Sequence, residues 1–144
     1  MKLMSLALGL LVSMNVFAAD IVGQWTTIDD STNAPKSIVE IYEKEGKLFG
    51  KINKIYVKPG ESEDKVCEKC KGDLKDKKIV GMEILQNFQR KSDTQWEKGT
   101  ILDPSSGKVY SCNIELINGG AELKVRGYIG ISLIGRTQVW KKNN

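Results

Sequence analysis

Two neighbouring segments, Lys108–Ile117 and Ala121–Tyr128, constrain the fold more than any other feature of this chain. In the first, Tyr110, Cys112, Ile114 and Leu116 alternate with Ser111, Asn113 and Glu115. In the second, Ala121, Leu123 and Val125 alternate with Glu122, Lys124 and Arg126. A period of two places one set of side chains on a buried face and the other in water, which is the pattern of a half-buried strand. Asn118-Gly119-Gly120 between them supplies residues that accept positive φ, so the pair predicts an antiparallel hairpin.

The same grammar runs through most of the chain. Gly23–Ile28 is β-branched and aromatic and stops at Asp29-Asp30-Ser31. Ser37–Glu43 carries Val39 and Ile41 against Glu40 and Glu43, and Glu45-Gly46 turns it into Lys47–Val57. Strand signals resume over Ile79–Phe88 and Thr94–Leu102, Asp103-Pro104-Ser105-Ser106-Gly107 forms a turn, and Ile129–Trp140 reads as the last strand. No segment offers an amphipathic helix of ten residues. About eight short strands at spacings near ten residues predict an all-β antiparallel barrel or sandwich. The stretch 58–78 breaks the pattern with Pro59-Gly60 and thirteen charged residues of mixed sign, and reads as a long solvated loop.

The N-terminus has a positive start at Lys2, an apolar run of 14 residues from Met4 to Phe17, and the small residues Ala18-Ala19. These are the three parts of a cleavable secretory signal. The run is shorter than the roughly 20 residues that span a bilayer. Residues 1–19 are therefore expected to be removed, after Ala18 or Ala19, leaving one domain over 20–144 in the periplasm or beyond. No cysteine stands at the cut to take a lipid anchor. Net charge is +4, or +3 without Lys2, and no one-sign stripe is present, so nucleic acid is not an expected partner.

The chain has no histidine. That removes the commonest general base, the Ser–His and Cys–His nucleophile pairs and the commonest metal ligand. Asp29, Asp30 and Asp103 sit at turns and Glu40 and Glu43 on solvent faces, so no catalytic set, cofactor motif or metal site is predicted. The thiols leave three readings open. Cys67 and Cys70 could form a structural disulfide in an oxidising compartment, work as an exchange-active pair, or share a bridge with Cys112. Half of a zinc knuckle is also visible, but a closed site needs four ligands, and beyond this pair only Cys112 remains with no histidine. Cys112, on an apolar strand face, is expected to be a buried, inert thiol.

Gly23-Gln24-Trp25 at the first strand and Arg136 in the last resemble the short signature of lipocalin-like barrels, in which the arginine lies across the indole where the first and last strands close. A wider resemblance runs through Pro35–Tyr42, Cys67–Gly72, Gly99–Pro104, Gly107–Cys112 and Lys124–Trp140. These blocks are similar to a family of small secreted bacterial proteins known as domain of unknown function 2147. The resemblance implies a small antiparallel lipocalin-like (calycin-type) β-barrel of about eight strands and brings no established activity.

A barrel of that size holds either a packed core or one small ligand. The expected function is binding of a small, largely apolar ligand. The residues expected around it are Val39, Ile41, Met82, Tyr110, Ile114, Leu123 and Val125. A thiol–disulfide protein and a non-enzymatic envelope or host-interaction module are the rivals. The glycine-spaced run Gly127–Gly135 is read either as a coiling strand that closes the barrel or as an apolar lip at its mouth or partner surface.

Overall fold

The structure, a computed structural model, describes residues 9–10, 21–131 and 133–144. The expected signal segment lies almost wholly outside them. Eight strands follow in chain order: β1 (Gly23–Ile28), β2 (Pro35–Lys44), β3 (Lys47–Ile55), β4 (Glu83–Arg90), β5 (Gln95–Asp103), β6 (Lys108–Ile117), β7 (Glu122–Tyr128) and β8 (Gly135–Lys142). Each pairs antiparallel with the next, and β1 pairs with β8, so the sheet closes into a barrel and leaves no open edge. Among the described residues the only helical turns are Gly72–Leu74 and Asn118–Gly120, and no helix is long and apolar enough to cross a membrane.

Inward faces follow the period-two pattern. Trp25, Val39, Ile41, Leu85, Phe88, Trp96, Cys112, Ile114, Leu123 and Trp140 are buried in one continuous core. They fill the end of the barrel that carries the chain termini and the β2–β3, β4–β5 and β6–β7 turns. Closure there uses close backbone approach. A Cβ at Gly99 would come within 2.4 Å of the Phe88 ring, so only glycine lets that ring lie across β5. The register slips beside it, between Trp96 and Gly99, and Lys98 adopts φ 60°, which bends the strand around the ring.

Two expected elements shift. Ile79–Met82 forms turns before β4 and not the start of a strand; Gly81 takes φ 93° there. Ile129–Ile134 is likewise outside β8. The β7–β8 ladder ends at Tyr128 paired with Gly135, and the described residues between them, 129–131 and 133–134, form a hairpin tip.

The loop over 58–78 is exposed for most of its length but anchored at its centre. Val66 bridges to Lys78, and Cys67 and Cys70 form a disulfide whose two residues are buried in the core cluster. The Cys67 sulfur lies 3.4 Å from the Pro104 carbonyl oxygen. A Cβ at Gly107 would fall 1.9 Å from the Lys69 carbonyl oxygen, and Gly107 has φ 72°. Both facts require glycine where the loop meets the β5–β6 turn. A Gly107→Ala variant is expected to lose about 2–4 kcal/mol of stability, from left-handed strain plus a backbone clash. Urea unfolding would check this, and a midpoint within error of the parent would refute it.

Candidate functional site: a cavity open at one end of the barrel

The half of the barrel opposite the packed end is hollow. Its cavity measures about 600 Å³ and opens where the β1–β2, β3–β4, β5–β6 and β7–β8 connections gather. That volume sits within the 300–1,000 Å³ range of small-molecule sites. The floor is apolar, made by Ile52, Ile84, Val125 and Trp140, with Ile101, Tyr110 and Gly127 along the wall. Gly127 continues the inward face of Leu123 and Val125, and its missing side chain contributes space. A Cβ there would meet Ile101, Tyr110 and the Ser111 carbonyl oxygen at ordinary contact distances of 3.5, 3.6 and 3.9 Å.

Polar groups line the upper part and are mostly paired among themselves. Thr27 and Ser37, both buried, share a hydroxyl–hydroxyl bond of 2.6 Å across β1 and β2. Trp140 Nε1 donates to Gln138 Oε1 at 3.2 Å, and Gln138 Nε2 donates to Asp30 Oδ2 at 3.1 Å. The same carboxylate pairs with the Arg136 guanidinium. Lys36, Tyr56, Lys65 and Tyr128 complete the mouth, with Lys65 bound to Glu61 at 2.9 Å.

Carboxylates near the mouth serve turns. Asp29 Oδ1 accepts from the Ser31 hydroxyl and backbone N–H and from the Thr32 N–H, and these bonds hold its carboxyl below the usual range. Asp103 accepts from the Ser105 N–H at 2.9 Å and from the Ser106 hydroxyl at 3.0 Å.

Of the residues expected to surround a ligand, Tyr110 and Val125 do line the cavity. Val39, Ile41, Ile114 and Leu123 face inward too, but they lie in the packed half and form the core. Met82 is buried beneath the loop, where its carbonyl accepts the Ile52 N–H at 3.0 Å, and it is no cavity wall. Ile52, Ile84, Ile101 and Trp140 went unrecognised as lining. Each lies in or beside a run with strand signals, but adjacent apolar pairs such as Ile84-Leu85 and Ile101-Leu102 blur the inward face, and no local pattern records depth along the barrel axis.

The closure pair is corrected as well. β1 and β8 meet as expected, but Trp25 stands opposite Lys142 in the ladder. The Lys142 ammonium lies 5.9 Å from the indole centre. Arg136, six residues earlier on β8, is at the mouth and holds Asp30.

Cys112 is buried, and burial pushes its thiol from an ordinary value near 9 up to about 12. The native fold therefore keeps its proton where the unfolded chain releases it. This contribution is complete below about pH 9 and fades progressively between pH 9 and 12. The thiol should resist iodoacetamide at pH 8 in the native protein and react promptly in guanidinium. Equal labelling in both states would contradict the burial.

Geometry of this kind, eight antiparallel strands closed around a chamber with one end packed and the other open, defines a lipocalin-like barrel. A lipocalin-family protein of Helicobacter pylori, HP1028, has the same fold. It superposes with a TM-score of 0.75 at 19% identity, over 86% of this chain and 83% of that one. The family model described as an uncharacterized protein conserved in bacteria (DUF2147) matches residues 23–142. The chain belongs to that family. No curated protein matches it.

Proposed function

We propose that this protein is an exported, non-enzymatic carrier that holds one small, largely apolar ligand in the open half of its barrel. The observation that carries the reading is the cavity of about 600 Å³ with an apolar floor inside a closed sheet. At roughly 30 Å³ per water-sized group the chamber takes on the order of 20 heavy atoms. At about 0.3 kcal/mol per atom, such a ligand gains near 6 kcal/mol, a dissociation constant in the tens of micromolar. Organic extraction of protein purified from its host should yield a bound compound. Titration with an apolar, environment-sensitive dye should saturate at one site. A barrel that carries nothing and leaves the dye dark would refute the carrier.

Export is supported by the signal-like segment 1–19 and by the Cys67–Cys70 disulfide, a bond that persists in oxidising compartments. Mass measurement of the mature chain should find it starting at Ala19 or Asp20, whereas an intact Met1 in the exported fraction would refute cleavage.

The burial of both half-cystines favours a structural over an exchange-active disulfide, because an attacking thiolate must reach a sulfur. Its reduction potential is expected below about −300 mV, against roughly −120 to −270 mV for exchange proteins. A value inside the exchange range would revive the redox reading.

A further inference from the structure

We infer that the β7–β8 hairpin tip is a membrane-contact site, which seats the barrel mouth on a phospholipid bilayer. Four large aliphatic side chains, Ile129, Ile131, Leu133 and Ile134, stand 64%, 59%, 84% and 65% exposed within six positions. Isolated exposed aliphatics are ordinary on a protein surface, but a cluster at one tip marks a contact surface. The packed core is complete without them, and the ladder closes behind them at Tyr128 and Gly135.

The chemistry of the tip selects a bilayer as its occupant. From Gly127 to Gly135 the sequence has no acidic or basic residue, and Arg126 and Arg136 stand immediately at its two roots. The Ile129 N–H donates to the Ile134 carbonyl oxygen at 3.2 Å and the Ile134 N–H to the Ile131 carbonyl oxygen at 3.1 Å, so the tip is a compact turn that gathers its aliphatic groups at one place beyond the ladder. Apolar groups held this way need sink only about 5–10 Å to reach the boundary between headgroups and acyl chains. At that depth Tyr128 and the arginines reach the headgroup level, where aromatic rings and guanidinium groups are at home. Arg136 already shares its charge with Asp30, so the apolar tip supplies most of the attachment and anionic lipid adds a smaller part.

The tip also adjoins the cavity. Ile129 and Ile134 line the mouth and are exposed at the same time, so the apolar surface runs without a break from the tip to the chamber. A lipophilic ligand entering from the bilayer would cross this lip without passing through water. The contact stands on the tip alone; its service as a loading port rests on the carrier reading.

Flotation with phosphatidylethanolamine–phosphatidylglycerol vesicles tests the contact, using the full mature chain without added ligand. Binding is expected, weakened but retained on phosphatidylcholine vesicles. The double variant Ile131→Asp/Leu133→Asp should lose on the order of a hundredfold in partitioning, about tenfold for each aliphatic group kept out of the bilayer. The tip lies outside the core, so the variant should keep the parent melting temperature and solution dye affinity, which separates loss of membrane contact from failure of the barrel. No flotation of the parent would overturn the proposal. So would flotation that survives in the double variant or that depends on Arg126 and Arg136 alone. A dimer seen by light scattering for the parent and abolished in the variant would assign the tip to self-association and overturn it too.

Discussion

Replacing Gly127 with phenylalanine is expected to abolish dye binding while leaving the barrel folded. Gly127 faces the chamber and has no positive-φ requirement. The first atom of a new side chain is accommodated there, since its neighbours lie 3.5–3.9 Å away. A phenyl ring built outward from that atom enters the space between Ile101 and Tyr110 and occupies a large share of the cavity. Overpacking usually costs 1–3 kcal/mol because a full core must move aside, but here the ring fills a void and the cost should stay near zero. Affinity for the dye should fall more than tenfold, with a melting temperature within a few degrees of the parent. A variant that is stable and binds as before would place the ligand outside the barrel and sink the carrier reading. The effect is specific to this position. The same substitution at Gly99 would strike the Phe88 ring within the packed half and unfold the protein.

How much of this was legible in the sequence follows from what period-two alternation records. Alternation assigns each residue to a face, and the face of β6 came out as read, as did Leu123 and Val125 on β7 and the bounds Gly23–Ile28 and Lys108–Ile117, whereas Ala121, expected on the core face, lies exposed in the turn before β7. Alternation carries no information on height along the barrel axis. Leu123 and Val125 are equivalent in pattern and both belong to the core, yet only Val125 also lines the cavity floor, because the hollow half begins at its level. Ile129, Ile131 and Leu133 also alternate and so mimic a strand. They form a tip because the β7–β8 ladder stops at Tyr128 and Gly135 and the segment turns back on itself, with Ile129 and Ile131 both bonded to Ile134, and where a ladder stops is not written in local alternation. The register of β1 against β8 joins residues more than a hundred positions apart, which explains why Lys142 and not Arg136 reached the indole. Opposite signs of local evidence favoured the hairpins, where a short turn fixes register directly.

Trp25→Ala should be the most damaging truncation to alanine in the packed half. The indole is fully buried at the seam where β1 meets β8, beside Val39 on β2. Its Nε1 donates to the Ile21 carbonyl oxygen at 2.8 Å and so ties down the segment that leads into β1. Truncation removes the ring, leaves a void that the closed sheet cannot collapse onto, and strands that carbonyl. The expected cost is about 3–5 kcal/mol, or roughly 10–25 °C in melting temperature for a domain of this size. Trp25→Phe keeps most of the volume and loses the hydrogen bond, so it should cost less, about 1–3 kcal/mol. The two cations near the seam separate cleanly in the same assay. Lys142→Gln removes the charge over the indole but is exposed, and Arg136→Gln acts at the mouth, so each should cost under about 1 kcal/mol. If Arg136→Gln destabilised the barrel as severely as Trp25→Ala, closure would rest on the guanidinium after all, and the register that pairs Trp25 with Lys142 would be wrong.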